Sequence, residues 1–464
     1  MEQNQKTSSL KKRHRLVAMP YPGRGHINPM LNLCKLILSK SDNFSITFVV
    51  TEEWLGFLSA EAQEKPLPEN LSLAAVPQVI PSEKGRAANI MEFVQALLTK
   101  LQHPFERLLD RLESKPIAII YDVFLSWMVG VGNERNIALA SLVTVSASFF
   151  TVLSHFDLLV QHGHVPLHVS EKETYKLNRQ DEPLDYIPGI PSTTFADLPP
   201  SFQKDGRKLL NQMVDMVSST NNAQYILITS IHEFDKQPIH SLKTKFHVPF
   251  YQIGPMIPYF SYQNHKTHNY FHWLDSQPKG SVLYISQGSY LSLSNDQIQE
   301  IILGIQDSNV PFLWVTRGEI ENLGEVDNAK GLFVPWCDQL RVLCHPSIGG
   351  FWTHCGWNSS SEGFYAGVPM LTCPIAWDQF LHSRMIVDGL KIGWNVLKND
   401  AHVITRQEIA EIVSKFMDPE CYERKEMVKR AKEVRDMFRQ AMDNGGSATL
   451  DFDAFINDVM PKHD

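Results

Sequence analysis

Short apolar runs alternate with longer amphipathic stretches along most of the chain. That rhythm marks β-α-β units around a parallel sheet, because strands covered on both faces need unbroken apolar runs while the crossover helices repeat near 3.6 residues. In the first half it predicts strands at Leu16–Pro20, Phe44–Val50, Leu71–Val76, Ile117–Tyr121, Ala138–Val143 and Tyr225–Ser230, with helices at Pro29–Ser39, Ile90–Glu113 and Ser148–Val160. Two stretches lose the period. Residues 163–202, rich in proline, histidine and acidic side chains, read as an excursion that builds a binding wall. Residues 254–272 read as an interdomain linker, after which SVLYISQGSY restarts the pattern, followed by a helix at Asn295–Asp307 and a strand at Phe312–Thr316. The expected fold is α/β, with two doubly wound domains (15–253 and 273–446) facing across a cleft, and residues 1–14 as a disordered tail.

At 464 residues the chain exceeds what one core usually supports, in agreement with two domains. The 43 basic and 51 acidic residues leave a formal charge of −8, which disfavours a nucleic-acid partner. The run Lys11–Arg15 then reads as a solvated lead-in to the first strand. The opening residues are polar, and the apolar stretch Trp127–Phe150 is interrupted by Asn133, Glu134 and Arg135, so neither a secretory signal nor membrane insertion is expected and the location is read as cytoplasmic. None of the six cysteines has CxxC spacing, which points to reduced thiols and no zinc site. The N-x-S/T matches at Asn43, Asn70 and Asn358 carry no weight without secretion.

Candidate chemistry falls in two places. After the first strand, GRGHINPM carries Gly23 and Gly25 but has Asn28 where a dinucleotide fingerprint wants a third small residue. Asn28 followed by Pro29 suits a helix start, with asparagine capping and proline in the first turn. The second place is the stretch 336–379, in which SIGGFWTH reads as a buried strand, CGWNSSSEG as a turn into a helix, and VPMLTCP as another strand. Gly356 allows the turn, and Asn358, Ser359 and Ser360 supply cap-type side chains. Free amides at the helix start make an anion site to which His354 could donate, and Glu362, one turn on from Asn358, could grip a diol such as a ribose.

The 44 residues from Trp336 to Gln379 resemble the signature of the plant secondary-product glycosyltransferases, UDP-sugar-dependent enzymes of GT-B architecture. The matching landmarks are Trp336, Gln339, His345, Gly350, Phe351, His354, Gly356 to Ser359, Glu362, Gly367 to Pro369, Pro374, Asp378 and Gln379. GHINPM, IGP at the linker and SVLYISQGS extend the likeness over nearly the whole chain. The resemblance implies that Trp336 stacks on uracil, Gln339 lies along base and ribose, and Glu362 holds the ribose hydroxyls. His354, Asn358 and Ser359, with Ser289 from the second domain's first turn, would bind the diphosphate. Trp357, Asp378 and Gln379 would read the sugar, and the final glutamine goes with UDP-glucose. Two positions depart from the family pattern: Asp338 stands where proline is usual, and Gln287 where phenylalanine is usual.

The same resemblance makes His26 the catalytic base and Asp122 the carboxylate that orients it, in a single inverting displacement. Thr144 matches a position near the sugar, and Trp127, Phe149, Phe150, Phe195 and Phe202 are candidates for the acceptor wall. No metal or other cofactor is expected, because helix-end amides cover the leaving diphosphate, and the one D-x-D, at Asp451 and Asp453, reads as coincidence on a C-terminal helix. That segment, 447–464, is expected to pack back on the first domain. The reading is a glucosyltransferase acting on a hydroxyl of a small apolar acceptor such as a flavonoid, another phenolic or a terpenoid, with no obligatory protein partner. Rivals are the same fold using UDP-galactose, UDP-xylose or UDP-glucuronate, a binding protein without catalysis, and an NAD-dependent oxidoreductase using the Gly23–Gly25 loop.

Overall fold

A seven-stranded and a six-stranded sheet, both wholly parallel, organise the described part of the chain. In this computed structural model it comprises residues 13–83, 86, 89–165, 181–190, 193–199, 207–259, 268–288, 295–316, 330–396 and 404–460. The first sheet contains β1 (His14–Met19), β2 (Phe44–Thr51), β3 (Leu71–Val76), β4 (Ala118–Asp122), β5 (Ala138–Val143), β6 (Tyr225–Ile228) and β7 (Phe250–Gln252), in the order 3-2-1-4-5-6-7. The second contains β8 (Val282–Ser286), β9 (Phe312–Val315), β10 (Gly331–Val334), β11 (Ile348–Thr353), β12 (Met370–Thr372) and β13 (Gly393–Asn395), in the order 10-9-8-11-12-13.

Strand order reverses between β1 and β4 in one sheet and between β8 and β11 in the other. Crossover helices leave in opposite directions at such a point, which opens a crevice beyond the strand ends. Met19 pairs with Tyr121, and Ser286 with Thr353, so the segments carrying His26, Asp122, Gly288 and His354 all emerge at these two crevices. Strands β4 and β8 are buried throughout, and β1 from Leu16 onward, as their apolar runs require.

Three predicted helices differ from those observed, each for a local reason. The span 90–113 is divided into Ile90–Lys100 and Gln102–Leu109, because Pro104 cannot donate to the Lys100 carbonyl. The span 148–160 is divided into Ala147–Ser154 and Phe156–Gln161. There Thr151, Ser154 and His155 turn their side chains back onto the carbonyls of Ala147, Phe150 and Thr151, which loosens the helix at His155. The first helix spans Arg24–Lys40 and starts well before Pro29. Its N-cap is Gly23, whose carbonyl accepts from His26 and Ile27; Asn28 lies inside the helix and does not cap it. The Arg86 guanidinium lies over Gly23, where a Cβ would approach it to 2.3 Å and displace it.

The chain returns to the first domain at its end. In the helix Ser447–Val459, Phe452, Phe455 and Val459 join the cluster around Tyr251 and Ile253, and Tyr225 donates to the Asp458 carbonyl at 2.9 Å. Asp451 accepts the Gln252 amide at 2.8 Å, so the first acid of the D-x-D holds the terminal helix to β7. No described helix is long and apolar enough to cross a membrane.

Candidate active site

The first crevice is built around one imidazole. Placed in the first turn of the Arg24–Lys40 helix, His26 has its Nδ1 2.8 Å from Asp122 Oδ2 and 2.7 Å from Thr144 Oγ1. Asp122 ends β4 fully buried; its Oδ1 accepts the Phe124 amide at 3.1 Å, and Oδ2 accepts the Thr144 hydroxyl at 3.1 Å. The single Thr144 proton is committed to Asp122, so the short Thr144–His26 contact requires the ring proton on Nδ1, shared between both oxygens. Nε2 then carries a lone pair and is the basic nitrogen. Tyr21 and Phe124 flank the ring at centroid distances of 4.8 and 5.8 Å and hold its plane. Thr144 is thus placed within the histidine–aspartate pair.

The second crevice uses buried, neutralised groups. His354 follows β11, with its ring between Gly288 and Gly356; a Cβ at either glycine would lie 2.5 Å from Nε2. Gly288 also has φ +80°, a left-handed conformation that suits glycine. Desolvation, partly opposed by the Ser286 backbone, pushes the His354 imidazole down to about 4, so it is neutral at physiological pH. Cys355 adopts φ 65° and turns the chain into the Trp357–Ala366 helix, whose N-cap is Gly356. The first intrahelical bond there is from the Ser360 amide to Gly356, which leaves the amides of residues 357–359 for a ligand.

The side chains expected to cap that helix are used differently. Ser359 Oγ accepts from Gln339 Nε2 at 3.0 Å, and no side-chain cap forms. Asn358 Nδ2 instead crosses the cleft to the Gly25 carbonyl at 2.7 Å. That carbonyl is available because its usual helical donor, four residues on, is Pro29, which has no N–H. Gln339 also donates to Glu362 Oε2 at 2.6 Å and accepts from the Tyr284 hydroxyl at 3.0 Å. Desolvation first, and the charge of Asp338 in addition, push the Glu362 carboxyl up to about 8 against the opposing Gln339 bond.

Both crevices open into one cavity of about 980 Å³, lined by His26, Thr144, Trp336, Gln339, His354, Gly356, Trp357, Asn358, Ser359, Glu362 and Asp378. This volume lies at the upper end of small-molecule sites. Trp377, at φ 58°, turns the chain before Asp378, whose carboxyl is raised by burial and lowered by His382 and His26. Gln379 stands behind this wall, with Oε1 accepting the amides of Ile375 and Ala376. Trp357 spends its indole N–H on the Thr229 carbonyl and hydroxyl at 3.2 Å, a bond between domains. Ser289 and Phe202 lie outside the described residues. At the two departures from the family pattern, Asp338 meets Lys65 at 3.2 Å, and Gln287 Nε2 is buried without a hydrogen-bond partner among the described residues.

The apolar wall differs from the expected one. Of the described candidates only Phe149 lines the cavity. Trp127 packs against Phe105 in the core on one face of the first sheet, Phe150 stacks on Phe246 at 5.5 Å, and Phe195 packs against His164 at 5.4 Å. The wall comprises Tyr21, Ile90, Val94, Phe124, Val145, Leu209, Met213 and Met216, contributed by separate elements. Sequence reasoning missed the Arg207–Ser219 helix; its strongly one-sided apolar pattern, Leu209, Leu210, Met213, Met216 and Val217, was the available signal. Among the described residues no group of three or more His, Cys, Asp or Glu side chains gathers as a metal site.

Known proteins share this architecture. Residues 214–435 match the family described as UDP-glucoronosyl and UDP-glucosyl transferase. The chain is 44% identical over 451 residues to UDP-glycosyltransferase 87A2 of Arabidopsis thaliana, spanning 96% of each chain. It is 45% identical over 447 residues to UDP-glycosyltransferase 87A1 of the same plant, spanning 95% of this chain and 99% of that one. Phytolacca americana UGT2, solved with UDP-2-fluoro-glucose and pterostilbene, superposes with a TM-score of 0.81 at 26% identity, over 96% of this chain and 99% of that one. Medicago truncatula UGT71G1, solved with UDP-glucose, gives a TM-score of 0.81 at 25% identity, over 97% and 99%.

Proposed function

Because the chain belongs to the UDP-glycosyltransferase family, we propose that it is an inverting glucosyltransferase that moves glucose from UDP-glucose to a hydroxyl of a small, largely apolar acceptor. Flavonoids, other phenolics and terpenoids have the required chemistry: a hydroxyl to deprotonate and an apolar body for the wall of Val94, Phe124, Phe149, Met213 and Met216. The observation that carries the reading is the His26–Asp122–Thr144 arrangement, which leaves Nε2 of a cavity-lining histidine as a base.

In the reaction His26 Nε2 takes the acceptor proton as the acceptor oxygen attacks the anomeric carbon. The bond to the UDP oxygen breaks in the same displacement, and the configuration inverts. Asp122 stabilises the imidazolium that forms. Charge developing on the leaving diphosphate is met by the helix-start amides at 357–359 and by neutral His354, with no reorganisation needed at the moment of reaction. Asp378, with Gln379 behind it, faces the sugar hydroxyls. The glucose assignment is supported by that pair and by the nucleotide sugars bound to UGT2 and UGT71G1.

The test is mass-spectrometric detection of hexose transfer to a mixed panel of phenolic and terpenoid alcohols, with UDP-glucose, UDP-galactose, UDP-xylose and UDP-glucuronate offered in parallel. Transfer from UDP-glucose well above the others is expected. Preference for another donor would overturn the glucose assignment, and no transfer from any donor would contradict catalysis by His26.

A further inference from the structure

Beside Trp336, the two domains meet through charge. Lys65 closes the first-domain helix Glu52–Glu64 as its C-cap, with its amide bonded to the Glu61 carbonyl at 3.0 Å. Asp338 is the N-cap residue of the second-domain helix Gln339–Leu343, and its amide donates to the Tyr270 hydroxyl at 3.1 Å. A cation at a helix C-terminus thus faces an anion at a helix N-terminus, an arrangement that both helix dipoles favour. The Lys65 ammonium lies 3.2 Å from Asp338 Oδ2 and 5.2 Å from the centroid of the Trp336 ring. Asp338 is only 11% exposed, whereas Trp336 is 50% exposed and touches His268 only edge-on.

We infer that Lys65 is a positioning residue for the nucleotide: its ion pair with Asp338 and its cation–π contact with Trp336 form a rim latch that fixes the Trp336 ring and closes the cleft over bound UDP-sugar. This rests on Trp336 being the uracil platform of the proposed function. The half-exposed ring has Lys65 as its fastening from the opposite domain, so opening the cleft at this end breaks the ion pair and the cation–π contact together. Lys35 and Glu61 also line the cavity; burial first, and the charge of Lys65 in addition, lower the Lys35 pKa against the opposing charge of Glu61. The proline usual at the position of Asp338 in the family carries no carboxylate and could not make the bond to Lys65.

The direction of one effect separates the latch from simple attraction. UDP-glucose is anionic, so removing the negative charge of Asp338 would tighten donor binding if only net charge mattered. The latch requires the opposite. The experiment measures KM for UDP-glucose and kcat in the wild type, Lys65→Met, Asp338→Asn, the double variant and Trp336→Ala, at about 50 mM and about 500 mM NaCl. Each of the two latch variants should raise KM roughly two- to fivefold at low salt, the range expected of a partly exposed ion pair, with kcat unchanged. The double variant should be no worse than the worse single one, and the rise of KM with salt expected of the wild type should be smaller in all three variants. A lower KM in Asp338→Asn, or additive effects, would overturn the latch while Trp336→Ala still weakened binding. An unchanged KM in Trp336→Ala would instead remove the platform on which the latch acts.

Discussion

The two walls of the cleft solve opposite electrostatic problems. On the first-domain side a carboxylate group, an imidazole and a hydroxyl share protons over distances of 2.7 to 3.1 Å, and one nitrogen is left basic. On the second-domain side two buried titratable groups are held away from charge: His354 falls to about 4 and Glu362 rises to about 8, both chiefly through desolvation. A wall that binds an anionic leaving group gains little from carboxylates ionised before the ligand arrives, and backbone amides and neutral donors serve it better. Under the proposed function, the contrast divides proton transfer in the first domain from donor recognition in the second.

The largest expected effect comes from breaking the first wall. Asp122→Asn removes the acceptor that keeps the His26 proton on Nδ1, and should lower kcat by about 10²- to 10⁴-fold while KM for UDP-glucose changes little. A comparable loss in donor affinity would show that the two walls do not divide the work. The next effect concerns the protonation of the second wall. Free Glu362 titrates at about 8, whereas ribose hydroxyls donating to it favour the ionised form. Its pKa therefore falls on binding, a proton is released, and UDP-glucose affinity rises with pH by up to about tenfold per unit below 8. Calorimetry at pH 7 in two buffers of different ionisation enthalpy should detect the release, and Glu362→Gln should abolish it. Proton uptake would contradict the assignment of Glu362 to the ribose. A smaller change is expected from Gly288→Ala, which places a Cβ against His354 at a left-handed position. KM for UDP-glucose should rise roughly five- to tenfold with kcat nearly constant, and an equal fall in kcat would place Gly288 in the chemistry of the first wall.

The same contrast explains how far the site could be read from the chain. The donor wall is contiguous: Trp336, Gln339, His354, Asn358, Glu362 and Asp378 lie within one stretch, so its density of unusual residues stands out in the sequence by itself. The strand rhythm likewise exposed both parallel sheets, because strands covered by helices on both faces must be apolar throughout. The acceptor wall is assembled from the segments that follow β1, β4 and β5 and from several helices, and each contributes one to three ordinary apolar residues. Periodicity does not separate Phe149, which faces the cavity, from Phe150, which stacks on Phe246 in the core, since adjacent helical residues differ only by a rotation of the helix. Contacts between domains were equally hidden. Asn358 reads as a cap until Pro29 is seen to free the Gly25 carbonyl opposite it, and Lys65 carries no signal apart from Asp338, 273 residues away.

The division of labour is tested most directly by the His26→Ala protein, with its single-turnover rate of glucose transfer and its dissociation constant for UDP measured on the same preparation. A fall in rate of about 10²- to 10⁴-fold with UDP affinity within about twofold of the wild type is the expected result. Loss of UDP binding in parallel with the rate would show that His26 holds the cleft together, and would contradict its role as the base.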